Sequence, residues 1–276
     1  AESKEIGEEA LSLIEVEYDE LPGLYDPVEA LKPGAALIHE QRSSYKNAPA
    51  VPEGIPNLQS VSVKKKGDLE EGFHRAARIF EHTFRTQLTH HGYLEPHACI
   101  VRIQPDGKVE IWATNKSPYV LRDQLAEDLG IPKERIKVHI MSVGGDFGGK
   151  ASLIDVPICY FLAQRSGRPV RMVLKYSEEI MAGAHRHPAV VTLRTGVESD
   201  GTLTAVEAKI IYSGGAYAAF KINPEVTVLG GRRLASYYRI PAIKAETLCA
   251  YTNQVPCTQS RTPGSPQIVF AMESQM

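Results

Sequence analysis

Apolar and polar residues change period several times along the chain, and each change marks an element. Residues 4–13 set Ile6, Ala10 and Leu11 about one helical turn apart, the spacing of an amphipathic helix. Residues 13–18 alternate and predict a strand, closed by Leu21-Pro22-Gly23. From there to residue 58 the chain is polar and punctuated by Pro33-Gly34, Pro49, Pro52 and Pro56, which predicts loop or linker. A short helix is expected over 68–76. In 78–88, Ile79, Glu81 and Thr83 alternate with Phe80, His82 and Phe84, a strand pattern. Pro105-Asp106-Gly107 and Ser199-Asp200-Gly201 each separate two apolar alternating runs, the sequence signature of a β-hairpin. Ser117 is placed to cap a helix that starts at Pro118 and stops at Gly130. A further strand is expected over 136–141 and a further helix over 153–163. Strands and helices mix without strict alternation. That predicts an α+β fold, with mixed sheets and hairpins packed against helices.

Between those last two elements lies Val143-Gly144-Gly145-Asp146-Phe147-Gly148-Gly149-Lys150. The order strand, glycine-rich turn, helix suits a ligand site. Glycine lets backbone N–H groups approach a ligand without an intervening Cβ. A helix start behind the turn would add unpaired donors and a partial positive charge. The expected ligand is anionic or oxo-bearing, against Gly145, Phe147 and Gly148. The bland alternative is a tight connection that binds nothing. Gly144 to Lys150 also fits the nucleotide phosphate loop G-x-x-x-x-G-K. That motif needs Ser or Thr next to ligate magnesium, and here Ala151 follows, with Ser152 one place late.

Composition narrows the classes. The chain has 276 residues and a net charge of −2, long enough for a substantial core. No basic stripe interleaves with aromatics, so nucleic-acid binding has no electrostatic support. No apolar run reaches membrane-spanning length and no signal peptide opens the sequence. Cys99, Cys159, Cys249 and Cys257 are widely spaced and form no C-x-x-C pair. Neither zinc nor an iron–sulfur cluster on this chain is indicated. Cys159 reads as a buried free thiol, and a reducing, cytoplasmic compartment is expected. His90, His91, His97, His185 and His187 lack a completing carboxylate or cysteine set, so turn and packing roles are expected. Lys64-Lys65-Lys66 reads as a solvated patch. Apolar patterns run up to both ends, which predicts an excised fragment or a split subunit.

The glycine turn and several other segments resemble, in order, the molybdenum hydroxylases (xanthine dehydrogenase, aldehyde oxidoreductase and relatives). Gly144-Gly145-Asp146-Phe147-Gly148-Gly149-Lys150 resembles their GGGFGGK loop. Tyr93-Leu94-Glu95-Pro96-His97 resembles their LEPH segment. Gly130-Ile131-Pro132 with Ile136-Lys137-Val138 resembles the lead-in to the loop. Gly167-Arg168-Pro169-Val170-Arg171, His185-Arg186-His187-Pro188 and Tyr238-Arg239-Ile240-Pro241 follow. Arg261-Thr262-Pro263-Gly264-Ser265-Pro266-Gln267 resembles RGxGxPQ. The likeness spans residues 8–276.

What the resemblance implies is specific. Residues 1–58 would be the tail of an α/β hammerhead-like domain plus linker. Residues 59–276 would be the first molybdenum-cofactor-binding domain, truncated at its C-terminal end. The cofactor would be a molybdopterin (Mo-pyranopterin, plain or as its cytosine dinucleotide), with the metal held by the cofactor's dithiolene and not by side chains. Phe147 and Gly148 would face the metal's outer ligands. Arg261, whose other reading is a surface arginine, would reach the pyranopterin with bidentate geometry. Partners would be the remaining molybdenum-binding domain, a 2Fe-2S subunit and an FAD subunit. The reaction would hydroxylate an aldehyde or N-heterocycle C–H with water-derived oxygen.

The departures count as well. Lys116 falls near the place of a glutamine that faces the metal's oxo ligand. Ala151 and Leu229 stand where purine-oxidising relatives carry Glu and Arg, which argues against xanthine; with Tyr93 they mark the expected substrate side. Family members take a glutamate general base from a C-terminal G-x-G-E segment, absent from this sequence. No catalytic residue is therefore assigned here, and the base is expected outside the chain. The alternatives are an inactive cofactor-binding or structural domain and, less favoured, a nucleotide-binding domain.

Overall fold

The two Asp-Gly turns seed two different sheets. The computed structural model describes all residues except 1, 46, 47, 152, 219, 220, 222, 224 and 236, so Ser152 lies outside the described residues. In chain order the elements are α1 (Lys4–Ser12), α2 (Pro27–Ala30), β1 (Leu58–Lys66), α3 (Leu69–His74), β2 (Arg78–Thr86), β3 (Ala98–Ile103), β4 (Val109–Ala113), α4 (Pro118–Leu129), β5 (Ile136–His139), α5 (Val156–Ser166), β6 (Val170–Val173), α6 (Tyr176–Ala182), β7 (Ala189–Val197), β8 (Leu203–Ser213), β9 (Ala242–Ala250) and α7 (Ser265–Gln275). One sheet has the order β1-β9-β8-β7-β2 and the other β5-β4-β3-β6. Each contains one parallel pair, β8 with β9 and β4 with β5, among antiparallel neighbours. This is the α+β arrangement of mixed sheets that the sequence predicts.

Alternation places the cores. Ala189, Val191 and Leu193 of β7 share one face with Val206, Ala208 and Ile210 of β8, and α7 covers them with Ile268, Ala271 and Met272. On the smaller sheet, Val101 and Ile111 pack against Leu121 and Leu125 of α4 and Cys159 and Ala163 of α5. A third cluster lies on the other face of the large sheet. There Val28, Leu31 and Val51 cover Leu58, Ile211 and Leu248.

Three local expectations change. Residues 13–18 are not a strand; they are irregular and exposed. An alternating segment becomes a strand only beside an edge to pair with, and none of the described strands runs alongside it. Ser117 makes no side-chain cap on α4; its own N–H is held by Asn115 Oδ1 at 2.7 Å. The helix after the glycine turn starts at Val156. Residues 151–155 intervene, so the turn does not open directly into a helix and gains no donors from its start. The lysine run is exposed, as expected, yet Lys64 and Lys66 donate to the carbonyls of Arg232 and Ile240 at 3.2 and 3.0 Å. All four cysteines are buried free thiols. Among the described residues no helix is long and apolar enough to cross a membrane.

Candidate functional site

The glycine turn takes its shape from one aspartate. Gly145, Phe147 and Gly148 have φ of 95°, 48° and 112°, and a left-handed Phe is uncommon enough to need support. Asp146 supplies it. Its carbonyl accepts Gly149 N–H at 2.8 Å. Its carboxylate accepts Gly148 N–H and Lys150 N–H, each at 2.7 Å, and the Lys116 ammonium at 2.9 Å. Burial alone would raise the Asp146 pKa, but the bonds from Lys116 and the two amides outweigh it and hold the group below its ordinary value. Backbone amides expected to face a ligand are thus engaged. The turn is an anion nest filled by its own side chain.

Beneath the turn lies a buried lysine with a half-buried carboxylate partner. Lys150 is fully buried, 2.9 Å from Glu95 Oε2 and 4.6 Å above the Tyr93 ring. Glu95 also accepts Gly144 N–H at 2.6 Å. Burial works against the Glu95 carboxylate, yet Lys150 and Gly144 keep its pKa below the ordinary value. With its ammonium sealed inside, Lys150 cannot cradle a nucleotide phosphate, and the phosphate-loop alternative loses its lysine. Tyr93 donates to Glu179 Oε1 at 2.5 Å. Glu179 also accepts His97 N–H at 2.6 Å and the His97 ring at 2.9 Å. Burial opposes that carboxylate too, but His97 and Tyr93 bring its pKa down to about 2. The histidines pack, and among the described residues no group of three or more His, Cys, Asp or Glu could hold a metal.

The opposite wall is the turn before α7. Arg261 N–H donates to the Phe147 carbonyl at 2.8 Å, and its guanidinium lies 5.9 Å from the Phe147 ring centre. Arg186 grips the Arg261 carbonyl at 3.0 Å. Thr262 and Gly264 have φ of 55° and 73°, and Tyr212 O–H holds the Gly264 carbonyl at 2.5 Å. Gln267 ties α7 back to the His187 carbonyl at 2.7 Å. His91 joins the walls. One ring nitrogen meets the Gln259 carbonyl at 3.2 Å, and the ring stacks on Tyr93 at 26°. Burial lowers the His91 pKa to about 4, so the wedge is neutral.

Between the walls opens a cleft of about 470 Å³ lined by Lys116, Asp146, Phe147, Gly148, Gln259, Ser260, Arg261 and Pro263. It brings together Lys116, Phe147, Gly148 and Arg261 from the sequence-based set, with Gly145 adjacent in the turn. Tyr93 and Ala151 are not on it: they are 1% and 3% exposed, under and behind the turn. Leu229 lies on the short helix Val228–Arg233, also outside the lining. The reason for glycine at 148 differs from the expected one. A Cβ there would overlap the Gln259 carbonyl, so the close approach is between the two walls, not to a ligand. Asp146 could have been found from its spacing to Gly148 and Lys150, that of an Asx turn. Gln259 and Ser260 carried no sequence signal.

The cleft can hold an anion through the Arg261 fork, against an aromatic face. Its one lining carboxylate is pinned by three donors and is no proton acceptor. Fold and cleft together define a binding domain for a large anionic cofactor. The chain belongs to the molybdopterin cofactor-binding domain family, whose model matches residues 52–276. It is 35% identical over 276 residues to a probable xanthine dehydrogenase subunit of Bacillus subtilis (strain 168), covering 100% of this chain and 35% of that protein. It is 27% identical to the nicotinate dehydrogenase large molybdopterin subunit of Eubacterium barkeri, covering 100% of this chain and 61% of that subunit. The chain therefore spans only part of these relatives. Among solved structures, aldehyde oxidoreductase from Desulfovibrio gigas superposes with a TM-score of 0.83 at 24% identity, over 99% of this chain and 28% of that one. Quinoline 2-oxidoreductase from Pseudomonas putida 86 does so with 0.82 at 25%, over 96% and 32%. The chain is thus similar to one part of larger dehydrogenase and oxidoreductase subunits.

Proposed function

We propose that this chain forms one side of the cofactor cleft in the large subunit of a molybdenum hydroxylase, with residues 1–58 continuing a preceding domain. The observation that carries the reading is the convergence of Phe147-Gly148 and Arg261 across one cleft, joined by the 2.8 Å Arg261–Phe147 bond. The residues fit a pyranopterin. Arg261 is exposed and presents a planar donor fork to an anionic ligand, and the exposed Phe147 ring offers a flat apolar face beside it. Arg261 would hold the anionic part of the cofactor, while the Phe147-Gly148 backbone would fix the distance of the wall from it. When bound, the cofactor would supply the redox centre for hydroxylating an aldehyde or N-heterocycle with water-derived oxygen. Partner 2Fe-2S and FAD domains would carry electrons away. The proton acceptor would come from outside the chain, since no lining group in this cleft serves. That same observation favours a second reading for the chain in isolation, a cofactor-binding piece without turnover of its own.

The test is Arg261→Met in the complete subunit. Affinity for the cofactor should fall about 10- to 150-fold, as for loss of a charged bidentate contact of roughly 1.5–3 kcal/mol, and molybdenum per protein with it, with the melting temperature nearly unchanged. Full molybdenum content in that variant would remove Arg261 and this cleft from the cofactor site.

A further inference from the structure

The cleft carries a feature that a cofactor wall does not require. Where the GGGFGGK loop has its third glycine this chain has Asp146, and near the place of the family's glutamine it has Lys116. These two departures touch each other at 2.9 Å. Lys116 holds the turn twice. Its N–H donates to the Lys150 carbonyl at 2.9 Å, closing the C-terminal end of the turn on the β4–α4 connection. Its ammonium meets Asp146, which in turn fixes the amides of Gly148 and Lys150. Both side chains line the cleft and are partly withdrawn from water, at 36% and 18% exposure. A partly desolvated pair of this kind couples more strongly than an exposed one.

We infer that Lys116 and Asp146 are a single charge-compensated positioning pair, which locks the glycine turn and presents the ligand with a neutral dipole in place of a free cation. The inference rests on the proposed cofactor site for its electrostatic half only. A free lysine in this place would bond an anionic ligand directly. Here the ammonium is directed to the turn, so it shapes the wall and leaves Arg261 as the cleft cation with no carboxylate partner among the described ion pairs. Each acts through the backbone of the turn, Asp146 through the amides of Gly148 and Lys150 and Lys116 through the Lys150 carbonyl.

The experiment uses the complete molybdenum-binding subunit with Lys116→Gln, Asp146→Asn and the double variant. Two quantities are measured: chemical denaturation, and the reduction potential of the bound metal with its spectroscopic signature. Denaturation should show coupling, the double variant losing clearly less than the sum of the singles. The potentials should move in opposite directions. Lys116→Gln leaves a carboxylate facing the cleft and lowers the potential. Asp146→Asn leaves an ammonium and raises it. The double variant should return near the parent value. A merely structural pair would give no such opposed shifts. Additive denaturation losses overturn the locking role, and shifts of one sign or of none overturn the neutral-dipole role. A parent subunit that carries no molybdenum overturns the cofactor reading together with the electrostatic half, while the denaturation cycle still decides the locking role.

Discussion

The two walls of the cleft reach similar backbone geometry by opposite means. The glycine wall is held by charge: Asp146 with Lys116 in the turn, Glu95 with Lys150 beneath it, and Glu179 behind Tyr93. The Arg261 wall carries no ion pair among the described residues: the Arg186 guanidinium donates to the Arg261 carbonyl, and the rest is neutral, a left-handed Gly264, the Tyr212 hydroxyl on its carbonyl, and the Gln267 amide on the His187 carbonyl. Each supports a non-glycine residue at positive φ, Phe147 on one side and Thr262 on the other. The difference teaches where each wall is vulnerable. Buried charge is costly to half-remove, because the surviving partner is left without compensation. A wall without paired charge, built on close backbone approach, is sensitive chiefly to added atoms.

The largest effect should come from the glycine wall. Glu179→Ala strands the Tyr93 hydroxyl and the His97 amide, and should cost about 3–5 kcal/mol in urea denaturation. A loss under about 1 kcal/mol would fall to the level of a single neutral hydrogen bond and remove Glu179 as the anchor. Acid should act on the same contact. The Glu179 carboxyl sits at about 2 against an ordinary 4.5. The unfolded chain therefore binds its proton first, and the stabilisation present above pH 4.5 is lost as pH falls towards 2. His91, at about 4 against 6.5, adds a loss between pH 6.5 and 4 by the same sign, since the unfolded state takes up that proton first. The Glu179→Ala variant should lack the lower of these two slopes.

The Arg261 wall should answer to size. Gly264→Ala puts a Cβ at φ 73°, against the Thr227 carbonyl, and should cost about 2–3 kcal/mol of strain. The cost should be the same at about pH 7 and about pH 5, which denaturation at both values checks. A cost that varies with pH would mean that a group titrating between those values reaches this wall too. The smallest effect is Tyr212→Phe, which removes the donor to the Gly264 carbonyl and should cost about 1 kcal/mol. If it costs as much as the Glu179 change, the contrast between the walls fails.

Much of this molecule was legible in its sequence, because much of it is set by short-range chemistry. Asp-Gly between alternating runs specifies a hairpin whatever surrounds it, and both hairpins formed. Gly130 ended α4 in the left-handed conformation that its missing Cβ allows. The ordered motifs from Tyr93 to Gln267 carried the family. What failed were inferences that needed a partner. Residues 13–18 alternate like a strand but have no edge to join. Tyr93, expected on the substrate side, is buried, its hydroxyl tied to Glu179, which is distant in sequence.

The site divides in the same way. The sequence by itself determined that residues 144–150 form a turn and that an arginine stands in a second turn ahead of α7. Tertiary structure alone decided that these two turns are the walls of one cleft, with Gln259 and Ser260 between them. It also decided that the glycine at 148 makes room for a carbonyl of the opposite wall. The physical reason is range. Propensity, capping and turn chemistry act over a few residues and leave a mark in the local pattern. The pairing of Lys116 with Asp146 follows from β4 and β5 lying side by side in one sheet, and that of Arg261 with Phe147 from bringing two different sheets together; neither has a local signature.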